Sequence, residues 1–236
     1  MALILIGTGV SFDLTLAGLE ALKSCDEAYI ETYTNPMDEA KVLALERTIG
    51  KKITLLPRER VESPFLAGRA RTLRVCVLAS GDPLTATTHV TLVMEARQKG
   101  VGVEIIHNSS IYSAAPARAG LQIYRFGRTA SLVNPRPNYR PTSSLEIIRE
   151  NLARNAHSLV LLDTEPQPME AKAALEMLAG FDNAVVLSRV GLPDEKITYG
   201  RVDELKEKNL GKPPFTIIIP AKLHPVEEEF LATLKA

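Results

Sequence analysis

The residues best equipped for chemistry fall in one stretch, Gly81-Asp82-Pro83-Leu84-Thr85-Ala86-Thr87-Thr88-His89. It combines a flexible glycine, a carboxylate, a rigid proline, three threonine hydroxyls and an imidazole. Such a set can hold a polar ligand by hydrogen bonds and by close approach of the backbone. It equally suits a plain βα turn, with Asp82-Pro83 setting the bend and Thr88 capping the next helix. Gly7-Thr8-Gly9, Glu31-Thr32-Tyr33-Thr34, Ser109-Ser110-Ile111 and Lys222-Leu223-His224-Pro225 also put polar groups at the ends of apolar runs. Each also reads as an ordinary turn or helix start.

Several chemistries are disfavoured by spacing. Gly7-Thr8-Gly9 begins a dinucleotide fingerprint, but Phe12 occupies the place of its third glycine, and Asp13 puts a carboxylate where a phosphate would sit. No Gly-Lys-Ser or Gly-Lys-Thr phosphate loop occurs, and no Gly-x-Ser-x-Gly elbow. His89, His107, His157 and His224 are too dispersed for a metal set, so no metal is expected. Neither Cys25 nor Cys76 has an adjacent basic residue to activate it as a nucleophile.

The elements that must carry these residues alternate. Strand-like Ala2 to Ile6, Glu27 to Glu31, Ile53 to Leu56, Leu73 to Ala79 and Val103 to Ile106 are separated by helix-like Leu14 to Ser24, Met37 to Ile49, Ser63 to Arg71 and Thr88 to Lys99. This pattern predicts an α/β lobe with a mostly parallel sheet and helices on both faces. Asp13 and Asn35-Pro36 read as helix-start signals. Ligands of such sheets bind beyond the carboxyl ends of the strands, where the polar loops should fall. After a helix-like Ile111 to Ala119, the proline-rich Asn134 to Pro141 marks a change of grammar. Strands Thr129 to Val133, Ser158 to Leu162, Ala184 to Arg189, Lys196 to Arg201 and Phe215 to Pro220, with helices Ser143 to Asn155, Met169 to Leu178 and Pro225 to Leu234, predict a second α/β lobe. Lobes of 1–112 and 113–236 are expected.

Equal totals of 28 basic and 28 acidic residues create no bulk field for nucleic acid or an anionic membrane. Five per cent aromatic residues and no tryptophan offer little platform for stacked bases. Two cysteines far apart in sequence suggest free thiols in a reducing compartment. Without a basic leader or a membrane-length apolar run, the cytoplasm is the expected location.

Taken together, the motifs resemble the diphthine synthase family of the tetrapyrrole methylase-like class. The likeness spans nearly the whole chain and rests on Ile6 to Val10 with Asp13-Leu14-Thr15, on Glu31 to Thr34, and on Gly81 to His89. It rests also on His107 to Ile111, Gly120-Leu121-Gln122-Ile123-Tyr124-Arg125-Phe126-Gly127 and Lys222 to Pro225. The Gly-Asp-Pro element marks the broader class, whereas Ala-Thr-Thr-His and the 120–127 run point to the diphthine branch. The chain departs from the family pattern at Ala115-Pro116 and in a shortened Asp163 to Glu170 connection.

The resemblance implies two α/β lobes, the second with a mixed sheet, a homodimer, and S-adenosylmethionine in the cleft between the lobes, leaving as S-adenosylhomocysteine. It implies transfer of several methyl groups to the amino group of a modified histidine on translation elongation factor 2, a step in diphthamide biosynthesis. Matching positions give Val10, Asp82, Thr85, Ser110, Ile111, Leu162, Tyr199 and His224 as cofactor contacts, several through backbone atoms. Alternatives within reach of the same residues are a methyltransferase acting on a tetrapyrrole or another small molecule, and a non-catalytic nucleotide-binding protein. Methyl transfer from a sulfonium requires a neutral amine held in line at about 3 to 3.5 Å. His89, His107 and Glu31 are candidate bases, with no catalytic residue assigned among them, and the Tyr33 ring is a candidate surface for a methylated ammonium.

Overall fold

In β1 (Ala2–Gly7) and β4 (Arg74–Ala79) five of six residues are buried, which places both strands inside a sheet covered on two sides. Their parallel register sets Leu3 beside Val75 and Ile4 beside Cys76. Because side chains alternate, Leu3, Leu5, Val75 and Val77 enter one apolar cluster, while Ile4, Ile6, Cys76 and Leu78 enter another on the opposite face. The computed structural model describes residues 1–35, 39–135 and 142–235. The expected start signal at Pro36, the helix residue Met37 and positions 136–141 of the proline-rich stretch lie outside the described residues.

The chain divides into two units, Met1–Ile111 and Tyr112–Ala236. The first holds β2 (Glu27–Glu31), β3 (Ile53–Leu56) and β5 (Gly102–Ile106) alongside β1 and β4, in the order β3-β2-β4-β1-β5, every neighbour parallel. Its helices are α1 (Leu16–Ser24), α2 (Glu39–Ile49), α3 (Arg58–Val61), α4 (Phe65–Arg69) and α5 (Val90–Gln98). This is the mostly parallel lobe expected from the sequence.

Three local expectations are corrected. Helix α1 is capped by Thr15, whose hydroxyl accepts the Gly18 N–H at 3.1 Å, not by Asp13. The helix expected from Ser63 to Arg71 is the shorter α4, because Pro64 disfavours helical backbone at Ser63 and stands as its N-cap residue, and a separate short helix, α3, precedes it. Thr88 does not cap α5: its hydroxyl donates to Glu62 at 3.0 Å, and His89 is the N-cap residue, without a side-chain cap bond.

The second unit follows at the start of α6 (Ile111–Arg118). Its sheet contains β6 (Ala130–Leu132), β7 (Ser158–Leu162), β8 (Asn183–Ser188), β9 (Lys196–Arg201) and β10 (Phe215–Ile219), ordered β6-β7-β10-β8-β9. Only the β6–β7 pair is parallel, so the sheet is mixed. Central β10 is buried throughout; its Ile217 and Ile219 pack with Val160, Val186, Leu175 and Ile148. Helices α7 (Ser143–Ala153), α8 (Ala171–Met177), α9 (Val202–Leu205) and α10 (Pro225–Ala232) complete the unit. Among the described residues no helix is long and apolar enough to cross a membrane.

Candidate functional site

At the carboxyl edge of the first sheet the loops after β1, β4 and β5 are fastened to one another. Gly9 and Gly81 form a two-bond antiparallel bridge, with φ of +69° and +67° that only glycine adopts without strain. Gly7 allows the loops to meet, since a Cβ there would stand 2.5 Å from the Gly81 carbonyl oxygen. Asn108 ties in the third loop: its amide donates to the Gly7 and Asp13 carbonyls at 3.0 and 2.8 Å. Ser109 completes the join by accepting the Val10 N–H at 3.2 Å.

Asp82 is the hub. One carboxylate oxygen accepts the Leu84 N–H and the Thr85 hydroxyl, both at 3.1 Å. The other accepts His107 Nδ1–H at 2.7 Å and the Asn108 N–H at 3.4 Å. Burial works against ionisation here, yet the bonds from His107, Leu84, Thr85 and Asn108 outweigh it and hold the carboxyl below the usual carboxylate range. The Asp82 side chain therefore shapes the loop from within. Val10, Thr85, Ser110 and Ile111 are half-buried around the same three loops, so five of the expected contacts are brought together.

Beside this cradle, on β2, Glu31 is 3% exposed and accepts the N–H groups of Tyr33, Thr34 and Ser80 at 3.0, 2.8 and 3.1 Å. His89 is equally enclosed. Its Nδ1 lies 2.8 Å from the Pro83 carbonyl, which can only accept, so Nδ1 carries the proton and Nε2 accepts from the Tyr33 hydroxyl at 3.1 Å. Burial, aided by the Glu31 carboxylate, pushes the Tyr33 phenol up to about 12. The Tyr33 ring carries the Arg58 guanidinium, 5.7 Å from its centre.

The second unit holds the remaining expected contacts at separate places: Leu162 at the end of β7, Tyr199 in β9 and His224 at the N-cap of α10. Tyr199 is half-buried, its N–H donating to the Leu234 carbonyl at 2.8 Å, and burial raises its phenol above the ordinary value. His224 sits in a capping box, its Nδ1 accepting the Val226 N–H at 3.4 Å while Glu227 accepts the His224 N–H at 2.8 Å.

Glu227 was not singled out from the sequence. The fully buried carboxylate also accepts the Gln122 N–H at 3.1 Å, pairs with Arg125, and lies 3.4 Å from His157 Nε2. Arg125 bonds the Lys222 carbonyl as well. His157 Nδ1 accepts the Ala221 N–H at 2.9 Å, which leaves the proton on Nε2 facing Glu227. Thus the 120–127 run is a strap that anchors the Lys222 to Pro225 loop. Its glycines are spatial necessities, because a Cβ on Gly120 would enter the Phe230 ring and one on Gly127 the Asn151 amide. The acidic residue three places after His224 was the available sequence signal.

Residues 2–206, which hold this glycine-latched parallel α/β sheet and most of the mixed unit that follows, match the family of tetrapyrrole (corrin/porphyrin) methylases. Diphthine synthase of Methanocaldococcus jannaschii is 39% identical, covering 98% of both chains. That of Methanothermobacter thermautotrophicus is 37% identical over 98% of this chain and 95% of its own. A crystal structure of diphthine synthase superposes with a TM-score of 0.91 at 33% identity, covering 100% of this chain and 96% of that one. The chain belongs to the diphthine synthase family of the tetrapyrrole methylases.

Proposed function

We propose that this protein is an S-adenosylmethionine-dependent methyltransferase that places several methyl groups on the amino group of a modified histidine of translation elongation factor 2, in diphthamide biosynthesis. The observation that carries the reading is the fastening of three strand-end loops by the Gly9–Gly81 bridge and the Asp82–His107 bond in a member of this family. These loops bring five of the expected contacts to one edge, and a Cβ on Gly81 would meet the Ser109 carbonyl and Ser110 Cα at 3.8 and 3.9 Å, so the third loop packs directly against that glycine. That edge of backbone and hydroxyl groups suits a nucleoside with a polar tail.

The bound donor supplies an electrophilic methyl group on a sulfonium. The protein's own part is positioning. Backbone atoms of Val10, Ser110 and Ile111 and the Asp82 to Thr85 turn would hold the donor in the first unit. Leu162, Tyr199 and His224 would add contacts in the second, with the Glu227 network setting the backbone of the His224 loop. A homodimer working in the cytoplasm on a protein substrate, without nucleic acid, completes the proposal.

Incubation with labelled S-adenosylmethionine and elongation factor 2 carrying the unfinished side chain tests it. Label is expected on the protein and on a single modified histidine. Label on a small tetrapyrrole instead, or binding of another nucleotide in place of S-adenosylmethionine, would overturn the reading.

A further inference from the structure

Methylating an amine in successive rounds requires a proton acceptor, because each methylated ammonium short of the quaternary product must lose a proton before it reacts again. Three side chains at the edge of the first sheet have the chemistry for this: Glu31, His89 and His107. The structure separates them. The Glu31 carboxylate is buried and already receives three backbone N–H groups. His89 is 2% exposed, with one ring nitrogen bonded to Pro83 and the other to Tyr33.

His107 differs on both counts. Its side chain is 67% exposed, and its one hydrogen bond among the described residues runs from Nδ1 to Asp82. Asp82 is held ionised by the surrounding donors, so it can only accept, and the proton must sit on His107 Nδ1. Nε2 then carries the lone pair at an exposed position. Among the described residues Asp82 is also the one charged group paired with the imidazole, whether from the β4–α5 loop or from β5 and its own loop. A carboxylate on one ring nitrogen fixes the tautomer and stabilises the imidazolium that forms when the other takes a proton.

We propose that His107 is the general base of the methyl transfers, with Asp82 as the positioning residue that orients it; the proposal rests on the methyltransferase reading above. Placement supports it: His107 follows β5 directly, three residues before Ser110, and its partner Asp82 is the hub of the cradle. The balance of the step is simple. The acceptor ammonium gives one proton to Nε2, and the freed nitrogen lone pair forms the bond to the methyl carbon. The carbon–sulfur bond breaks with its electrons remaining on sulfur. The imidazolium then releases its proton to water, which its exposure permits.

The test compares wild type with His107→Ala and His107→Gln, using labelled S-adenosylmethionine and elongation factor 2 carrying the amine-bearing side chain. A drop in kcat of about 100-fold or more is expected, the scale at which general bases act. A change in the acidic limb of the pH–rate profile is expected with it, while the Kd for S-adenosylmethionine by calorimetry rises far less than kcat falls, because Asp82 keeps its bonds from Leu84, Thr85 and Asn108. Added imidazole should restore part of the rate to His107→Ala and none to His107→Gln, whose side chain fills the gap. Retention of rate and pH profile by His107→Ala overturns the assignment, as does a rate loss that follows donor affinity and resists imidazole. If wild type itself places no label on elongation factor 2, the functional reading fails and this proposal with it; a labelled product with unaffected variants sinks the base alone.

Discussion

Gly9 and Gly81 exchange two backbone hydrogen bonds, at 3.0 and 3.3 Å, although they follow different strands and lie 72 residues apart in sequence. The bridge lies just past the end of the β1–β4 pairing, antiparallel where those strands are parallel, and it requires left-handed backbone on both sides. Everything expected to touch a ligand in the first unit hangs from this join.

Substitutions at the glycines should therefore rank by space. Gly81→Ala meets only ordinary van der Waals neighbours, at 3.8 and 3.9 Å, and carries the left-handed strain, about 1 to 2 kcal/mol. Gly7→Ala drives a methyl group to 2.5 Å from the Gly81 carbonyl and must part the loops. Thermal melting and calorimetric titration with S-adenosylmethionine should show a larger loss of both stability and affinity for Gly7→Ala. Equal losses would mean that the close approach is not what holds the cradle.

Asp82→Ala should weaken donor binding by tenfold or more even though its carboxylate is turned inward. The substitution leaves the Leu84 and Asn108 N–H groups without their acceptor, at about 1 to 3 kcal/mol for each group that stays buried. Thr85→Val removes one bond to the same oxygen and should have a smaller effect in the same direction. Unchanged affinity in Asp82→Ala by calorimetry would show that the loop keeps its form without the hub.

The His157–Glu227 pair predicts acid lability of the second unit. Burial holds His157 below its ordinary value despite the Glu227 carboxylate beside it. Glu227 also lies below its own ordinary value, because bonds from His224 and Gln122 outweigh burial. In both cases the unfolded chain binds a proton that the folded chain refuses, so stability is fully present at neutral pH and is lost as pH falls. The His157 contribution begins to fade as the pH passes the ordinary histidine value of 6.5, and that of Glu227 below 4.5. Melting temperature followed from pH 8 to pH 4 should decline, and His157→Gln should flatten the upper part of that decline. Glu227→Gln should cost about 3 to 5 kcal/mol at neutral pH by leaving the Arg125 guanidinium without its carboxylate.

Tyr33 should titrate late. Its phenol donates to His89 and is pushed up to about 12, whereas an unfolded tyrosine ionises near 10. The stability it contributes is thus present below pH 10 and fades as pH rises toward 12. The ultraviolet difference between wild type and Tyr33→Phe should show one phenol ionising above pH 11. A difference centred at pH 10 would mean that the phenol is not buried beside Glu31 in solution.

Much of the fold was legible in the sequence because its signals are short-range. Apolar runs such as Leu3 to Ile6 and Val75 to Ala79 read as buried strands from their own composition, and each loop declared itself by glycine, proline and hydroxyl content. Misreadings arose where two local signals competed. Asp13 and Thr15 could both cap α1, and the choice fell to Thr15 because the Asp13 backbone is drawn into the bond with Asn108. Ser63 to Arg71 carries helical composition, but the proline at its second position delays the helix to Phe65.

By itself the sequence determined that polar, glycine-bearing loops follow buried parallel strands, and which family pattern those loops repeat. Only the tertiary structure decided the strand order β3-β2-β4-β1-β5, and hence that Asp82 meets His107 and Gly9 meets Gly81. It likewise decided that Glu227 gathers donors from Gln122, Arg125, His157 and His224. The physical reason is common to both cases. Local propensity settles what a segment becomes, whereas a buried carboxylate finds its donors only where packing brings distant segments together, and it is those donors that settle its charge and its role.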